Sequence, residues 1–528
     1  MMDREDTMWV EDPFDKLHEE CGVFGIFQRG GVGVLQETYH ALYCLQHRGQ
    51  ESAGIAINRD GVISCVKDVG LVADVFSRER MEKMRDGQIA IGHCRYGTTG
   101  ALSQANAQPL LVNHLKGAMA VVHNGNLTNA WELRSQYEMN GAIFHTTSDS
   151  EVIAHTITQQ RIQCGSIEKA VRSTMKIIEG AYSLVVMSAT KLIAARDPHG
   201  FRPLCMGHLG EAVVFSSESC ALEAIGATFD RDIAPGEVVM VSQKGIQSWP
   251  AEIQARRGLC VFEFIYFARP DSVIDGVSVH EARLRAGRIL ARNHPKDVDV
   301  VIGAPDSGLD AALGYSYESG IPYGIGLIKN KYIGRTFIQP GQAQRADAVR
   351  IKLNALATTV RGKRVLMVDD SIVRGTTSKR VIQILRDAGA AEVHVMFSAP
   401  PFRHPCYFGT DIDSEEHLIA CHHSVEQIAQ IIGRIETWCL IEPDAAFLKH
   451  IGDKLRTDKF IAQFALDLQL DAQQTDEAVG IELAACDKVV DHALKMRILF
   501  FRQRNLIDFA GDIGKFAECP LADQFCVE

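Results

Sequence analysis

The chain has 528 residues, 46% hydrophobic and 23% charged, with a mean hydropathy of -0.03, which is enough apolar surface for several cores and too ordinary for intrinsic disorder. A net charge of -11 without a basic tract argues against nucleic acid as the main partner, and no apolar run reaches the length of a membrane span. The first twenty residues carry eight acidic ones where a signal peptide would be basic and then apolar, so a cytoplasmic protein is expected. Its 14 cysteines include no C-x-x-C pair, which rules out a regular disulfide framework and predicts mostly reduced thiols.

At Cys21 the acidic leader gives way to CGVFGIF, alternating apolar residues that predict a strand opening on a cysteine. Alone, such a cysteine reads as a small buried hydrophobe. Four polar, glycine-containing strings follow it: LQHRGQESAGIA (45–56), HCRYGTTG (93–100), HNGNLTN (123–129) and TSDSEV (147–152). They supply a guanidinium and a carboxylate for an amino acid's two charged ends, and amide donors for an oxyanion. With Cys21 they resemble the class II, N-terminal-nucleophile glutamine amidotransferases over about 230 residues. The resemblance implies cleavage before Cys21, whose freed α-amine, titrating near neutrality, serves as base for the adjacent thiol. It further implies Asn124 and Gly125 as the oxyanion hole, Arg95 and Asp149 as clamps on glutamine, and Arg48, Gly49, Tyr96 and Thr98 as pocket lining.

Strands and turns continue through EGAYSLVVM (179–187), KLIAARDPHGFRPL (191–204) and AVVFSSESCALEAIG (212–226) to APGEVVMV (234–241), which reads as a last strand. Arg196, Asp197, Arg202 and Glu218 read either as a buried polar network at a domain junction or as ordinary turn residues.

A second half opens near Cys260 with the aromatic-rich FEFIYFARPDS (262–272). VDVVIGAPDSG (298–308) then predicts a β-branched strand ending in a small-residue loop with a carboxylate and a hydroxyl. GLIKNKYIGRTFIQP (326–340) sets Lys329, Lys331 and Arg335 around Tyr332, and a basic stretch with Arg345, Arg350 and Lys352 follows. The most telling stretch is VLMVDDSIVRGTTS (365–378): a buried strand running into Asp369 and Asp370, a polar loop, and a helix start over 379–388 with Val381, Ile382 and Leu385 on one face. Unpaired backbone N–H groups there suit a phosphate, and the carboxylate pair suits a diol or Mg²⁺.

This string resembles the phosphoribosyl-diphosphate (PRPP) signature of type I phosphoribosyltransferases. The resemblance implies that Asp369 and Asp370 hold the ribose hydroxyls and metal, and that Val373, Arg374, Gly375, Thr376 and Thr377 hold the 5′-phosphate. It assigns the diphosphate to Asp306, Ser307 and Gly308, with Ser307 also at the metal, and makes Lys329, Tyr332, Arg335 and Lys352 part of a loop closing over PRPP. Together, residues 21 to about 426 resemble the glutamine PRPP amidotransferase family, including VHEAR (279–283), VRIKLN (349–354) and SAPPFRHPCYFGTDI (398–412).

The architecture implied is an α+β, four-layer αββα glutaminase over 21–255, after a propeptide over 1–20. An α/β phosphoribosyltransferase with a mostly parallel sheet follows over 256–433, then a divergent helical region over 434–528. The family further implies ammonia passed internally to PRPP, giving 5-phosphoribosylamine for purine synthesis, a homotetramer, and purine nucleotide effectors. Some members hold a 4Fe–4S cluster on four cysteines. Cys260 and Cys406 match two of these, but the late C-x-x-C is missing, so a chain without the cluster is expected. Three other readings remain on the residues alone: an inactive relative, a PRPP-binding regulator, or a class II amidotransferase serving another acceptor.

Overall fold

The computed structural model describes residues 21–96, 103–330, 353–410, 414–433 and 438–440. The first half supplies strands β1 (Gly22–Phe27), β2 (Ser52–Arg59), β3 (Val62–Val69), β4 (Ile89–Arg95), β5 (Leu110–His114), β6 (Gly117–Leu127), β7 (Gly180–Ser188), β8 (Lys191–Arg196), β9 (Cys205–Leu209), β10 (Ala212–Ser216), β11 (Thr228–Asp232), β12 (Val238–Ser242) and β13 (Gly245–Trp249). They form two antiparallel sheets, ordered β11-β9-β10-β1-β4-β2-β3 and β13-β12-β8-β7-β6-β5. Period-two alternation gives each sheet two apolar faces. In β1, Val23 and Phe27 join Val122, Val185 and Ala194 of the opposite sheet in a shared core. Phe24 and Ile26 face outward onto the helices Leu35–Cys44 and Ser219–Ala224. The second sheet is covered by Ala130–Met139, Asp149–Gln163 and Ile167–Thr174. Helix, sheet, sheet, helix is the expected four-layer order. The segment 234–241 is not the last strand, because the turn after Ser242 folds β13 back onto β12.

The second half holds a short ribbon of β14 (Val273–Ile274) and β15 (Val277–Ser278), then β16 (Val300–Gly303), β17 (Leu327–Lys329), β18 (Leu353–Ala355), β19 (Arg364–Asp369), β20 (Glu392–Phe397) and β21 (Trp438–Leu440). The main sheet is parallel, ordered β16-β19-β20-β21, and apolar on both faces. Val365 and Met367 pack under Thr376–Asp387 and Val425–Gly433, while Leu366 and Val368 meet the layer containing Leu290 and Tyr315. Helix Thr376–Asp387 starts earlier than the apolar pattern predicts, directly after Gly375, whose φ of 85° ends the loop. Residues 438–440 extend the sheet as a strand where a helical region was expected. The rest of that region lies outside the described residues, as do 1–20, Thr98, Lys331, Tyr332, Arg335, Arg345, Arg350 and Lys352.

Where the halves meet, Arg196, Asp197, Arg202 and Glu218 are fully buried, which favours the junction network over surface turns. Arg196 donates to Asp275 Oδ1 at 2.8 Å and to the Ile233 carbonyl at 2.8 Å. Burial, reinforced by Asp275, pushes the Asp232 carboxyl up to about 7. The folded state therefore binds this proton more tightly than the unfolded chain, and the associated stability is complete below about pH 4 and lost as pH rises to about 7. An Asp232→Asn protein stays neutral throughout. Its stability advantage should grow from near zero at pH 4 to at most ~4 kcal/mol at pH 8. Equal thermal shifts at pH 5 and pH 8 would contradict this.

Candidate active sites

Cys21 stands at the mouth of β1, 8% exposed, with its thiol donating to the Tyr96 carbonyl at 3.4 Å. Pairing of Gly22 with Cys94 sets it beside the end of β4, which carries Arg95. Gly49 is buried against the backbone of Cys94 and Arg95. From the second sheet, β6 brings Asn124 and Gly125 to the same end, because His93 of β4 bonds through Nε2 to the His123 carbonyl at 3.0 Å. Asn124 is 0% exposed, and neither its Oδ1 nor its Nδ2 has a hydrogen-bond partner among the described residues. Burying an unpaired amide costs about 1–3 kcal/mol. Gly125 has φ 136°, and a Cβ there would lie 2.1 Å from the Ala181 carbonyl oxygen, so only glycine fits.

Asp149 opens helix Asp149–Gln163 and accepts from the Leu127 N–H at 3.0 Å, tying the helix start to the end of β6. Behind it lies a network not identified from the sequence. Gln108 accepts from the His123 N–H at 2.7 Å and donates to Ser150 Oγ at 3.0 Å, and His123 Nδ1 bonds that hydroxyl at 3.2 Å. Burial drives both imidazoles down, His93 to about 3, so both are neutral near pH 7 and neither is a ready proton reservoir.

Arg48 does more than line a pocket. Its Nε donates to the Cys21 carbonyl at 3.1 Å, Nη1 to Glu218 at 2.6 Å and Glu263 at 2.9 Å, and Nη2 to Glu263 at 2.8 Å. All three side chains are wholly buried. Burial opposes the charge on Glu218, but His47 and Arg48 overcome it and hold the carboxyl well below the usual carboxylate range. Glu263 belongs to the second half, in a π-helical turn over Glu263–Phe267, so one guanidinium joins the nucleophile's backbone to the other domain. Next to Gly125, Asn126 Nδ2 donates to the Tyr407 carbonyl at 3.0 Å, and elsewhere at the junction Arg202 Nη2 donates to the Phe408 carbonyl at 2.6 Å.

In the second half, β16 and β19 run parallel, and their carboxyl ends bring the loop 304–308 against Asp369 and Asp370, both 1% exposed. Ser307 Oγ donates to Asp370 Oδ2 and Ser371 Oγ to Oδ1, while the Asp370 N–H bonds Asp369 Oδ1 at 2.9 Å. A Cβ on Gly308 would lie 2.4 Å from the Val368 carbonyl oxygen, so the two loops meet only through glycine. Val373, Arg374 and Gly375 lead into the helix start at Thr376, and Thr377 Oγ1 is buried there without a partner among the described residues. Lys329 pairs with Asp306 at 2.5 Å on the exposed rim. Such exposed pairs are worth under ~1 kcal/mol.

Cys260, Cys406 and Cys421 pack around one apolar core, with the Cys421 thiol donating to the Arg403 carbonyl at 3.0 Å. Among the described residues no group of three or more His, Cys, Asp or Glu is arranged to hold a metal ion. No helix among the described residues is long and apolar enough to cross a membrane.

A cysteine at the head of a four-layer sandwich, joined to a parallel sheet with an acidic strand tip and phosphate loop, defines a glutamine amidotransferase fused to a phosphoribosyltransferase. The family models agree: the glutamine amidotransferase domain matches residues 93–224 and the phosphoribosyl transferase domain residues 277–407. Amidophosphoribosyltransferase of Bacillus subtilis is 47% identical over 439 residues, spanning 83% of this chain and 91% of that one. The enzyme of the same name from Methanocaldococcus jannaschii is 46% identical, spanning 78% and 91%. Glutamine PRPP amidotransferase from B. subtilis, solved with ADP and GMP, superposes with TM-score 0.76 at 46% identity, covering 82% of this chain and 93% of that one. The chain belongs to the amidophosphoribosyltransferase family.

Proposed function

We propose that this chain makes 5-phosphoribosylamine, glutamate and pyrophosphate from PRPP, glutamine and water, the first committed step of purine synthesis. The observation that carries the reading is the buried bridge from the Cys21 carbonyl through Arg48 to Glu263, which ties the head of the amidotransferase half to the phosphoribosyltransferase half. After removal of residues 1–20, the α-amine of Cys21 takes the thiol proton and the thiolate attacks the glutamine side-chain amide. Asn124 Nδ2 and the Gly125 N–H bind the developing oxyanion, while Arg95 and Asp149 hold the substrate's carboxylate and amine. Ammonia leaves, and water hydrolyses the thioester to glutamate. Within the protein the ammonia escapes protonation by bulk water, reaches C1 of PRPP and displaces pyrophosphate.

In the acceptor site Asp369 and Asp370 hold the ribose hydroxyls. The 5′-phosphate lies on Val373, Arg374, Gly375, Thr376 and Thr377, and the diphosphate on Asp306, Ser307, Gly308 and Lys329. The oxygen donors of Asp369, Asp370 and Ser307 fit Mg²⁺, which is commonly bound by one or two carboxylates plus substrate phosphates. Bound there, the ion would neutralise charge on the diphosphate. A cytoplasmic homotetramer under purine nucleotide control completes the reading, in line with the ADP and GMP bound by the B. subtilis relative.

Glutamate release should need Cys21, vanish in Cys21→Ala, and rise strongly when PRPP and Mg²⁺ are added together. Because the base works unprotonated, the rate should climb as pH rises through about 8. Release indifferent to PRPP would point instead to another acceptor.

A further inference from the structure

We propose that Cys44 and Cys220 are a peroxide-reactive thiol pair behind the glutamine site, with Cys44 as attacking and Cys220 as resolving sulfur. Helix Leu35–Cys44 ends on the first, and helix Ser219–Ala224 begins one residue before the second. Cys44 Sγ donates to the Cys220 carbonyl oxygen at 3.5 Å, which sets the two cysteines side by side. Arg269 Nη1 donates to Cys44 Sγ at 3.1 Å, placing a fixed cation on that sulfur. Cys44 is only partly covered, whereas Cys220 is 3% exposed, so an oxidant from solvent meets Cys44 first.

The electrostatics agree with that order. Cys220, Arg269 and His47, acting against burial and Asp271, bring the Cys44 thiol down to about 7, while Cys220 is raised. Burial pushes Cys65 up to about 11 and raises Cys94 and Cys205. A sulfur half ionised at neutral pH has about ten times the thiolate of an ordinary cysteine, and thiolate is the attacking form.

The chemistry balances with a hydroperoxide as oxidant. The Cys44 thiolate attacks one peroxide oxygen, the O–O bond breaks, and hydroxide leaves and is protonated, giving Cys44 sulfenic acid. The Cys220 thiol then displaces its oxygen as water. Two thiols and one hydrogen peroxide become one disulfide and two waters.

This pair reaches the glutamine site through Glu218. That carboxylate receives Cys220 Sγ at 3.6 Å, the Arg269 N–H at 3.0 Å and Ser272 Oγ at 2.6 Å on Oε2, while its other oxygen holds Arg48 at 2.6 Å. Disulfide formation removes one donor to Glu218 and frees Arg269 from its sulfur, loosening the group that steadies Arg48 on the Cys21 carbonyl.

The test is peptide mapping of the reduced full-length protein after treatment with equimolar hydrogen peroxide at pH 7. The first product expected is a Cys44–Cys220 disulfide, lighter by two hydrogens and reversed by dithiothreitol. Cys220→Ser should stop at a Cys44 sulfenic acid that dimedone captures, and Arg269→Met should slow iodoacetamide labelling of Cys44 about two- to threefold. Cys44 remaining unmodified, Cys44 pairing with another cysteine, or labelling at the parental rate in Arg269→Met would overturn the proposal. If Cys220→Ser does not fold, the parent's peptide map decides. Oxidation should also lower glutamate release about fivefold, reversibly, in the parent and not in Cys44→Ser. That last readout rests on the proposed amidotransferase function. A disulfide in a protein that never hydrolyses glutamine would sink only that function, whereas a disulfide without effect on active protein would overturn the link through Glu218.

Discussion

Asn124→Ala should lower glutamine-dependent turnover about a hundred- to a thousandfold, the usual cost of losing one oxyanion donor, while leaving synthesis from added ammonia and PRPP unchanged. The stability change should go the other way. An interaction made by Asn124 in the free protein would be lost on truncation, but its Oδ1 and Nδ2 have no partner to lose. Removing a buried unpaired amide relieves its desolvation cost of ~1–3 kcal/mol, offset in part by the small cavity left. The variant should therefore melt at or slightly above the parental temperature while being nearly inactive with glutamine. A structural asparagine would do the reverse, lowering the melting temperature together with both activities. Glutamate release, ammonia-dependent synthesis and a thermal melt on one preparation separate the two cases.

That reversal was only half legible in the sequence. HNGNLTN could be singled out as a polar, glycine-containing string with amide donors because its residues are contiguous, and the same holds for VLMVDDSIVRGTTS, whose strand, acidic tip and helix start follow one another without a long-range partner. What could not be read was the surroundings of Asn124. Its isolation depends on Gln108 and Ser150 bonding His123 next door, and these come from other elements. Arg48 shows the limit more sharply. Beside Gly49 in a polar string it reads as pocket lining, yet its carboxylate partner Glu263 lies 215 residues away in an apolar aromatic run. A lone glutamate within FEFIYF was the available signal, since a buried carboxylate needs a cation. Strand β21 was missed because a three-residue strand is set by the open edge of β20 rather than by any periodicity of its own.

Glu263→Leu and Arg48→Leu should each destabilise the protein by about 3–5 kcal/mol, because each leaves the other charge buried with fewer partners. The double variant should cost less than the sum, with a coupling energy of up to ~3 kcal/mol. The kinetic effect should be more selective. Glu263 sits in the turn whose Phe264 and Ala268 carbonyls accept from Arg283 at 2.7 and 2.8 Å. Arg283 lies on helix Val279–Asn293, which packs against Leu309–Ser319, the helix continuing directly from the loop 304–308. A contiguous path thus runs from residues 304–308 through two helices and the π-helical turn to Arg48 and the Cys21 carbonyl. If occupancy of the phosphoribosyl site is felt at the nucleophile along this path, the conservative Glu263→Gln change should abolish most of the stimulation of glutamate release by PRPP. Basal release and ammonia-dependent synthesis should change far less. Full stimulation retained in Glu263→Gln would mean that coupling travels elsewhere, with the 407–408 contacts to Asn126 and Arg202 the next route to break.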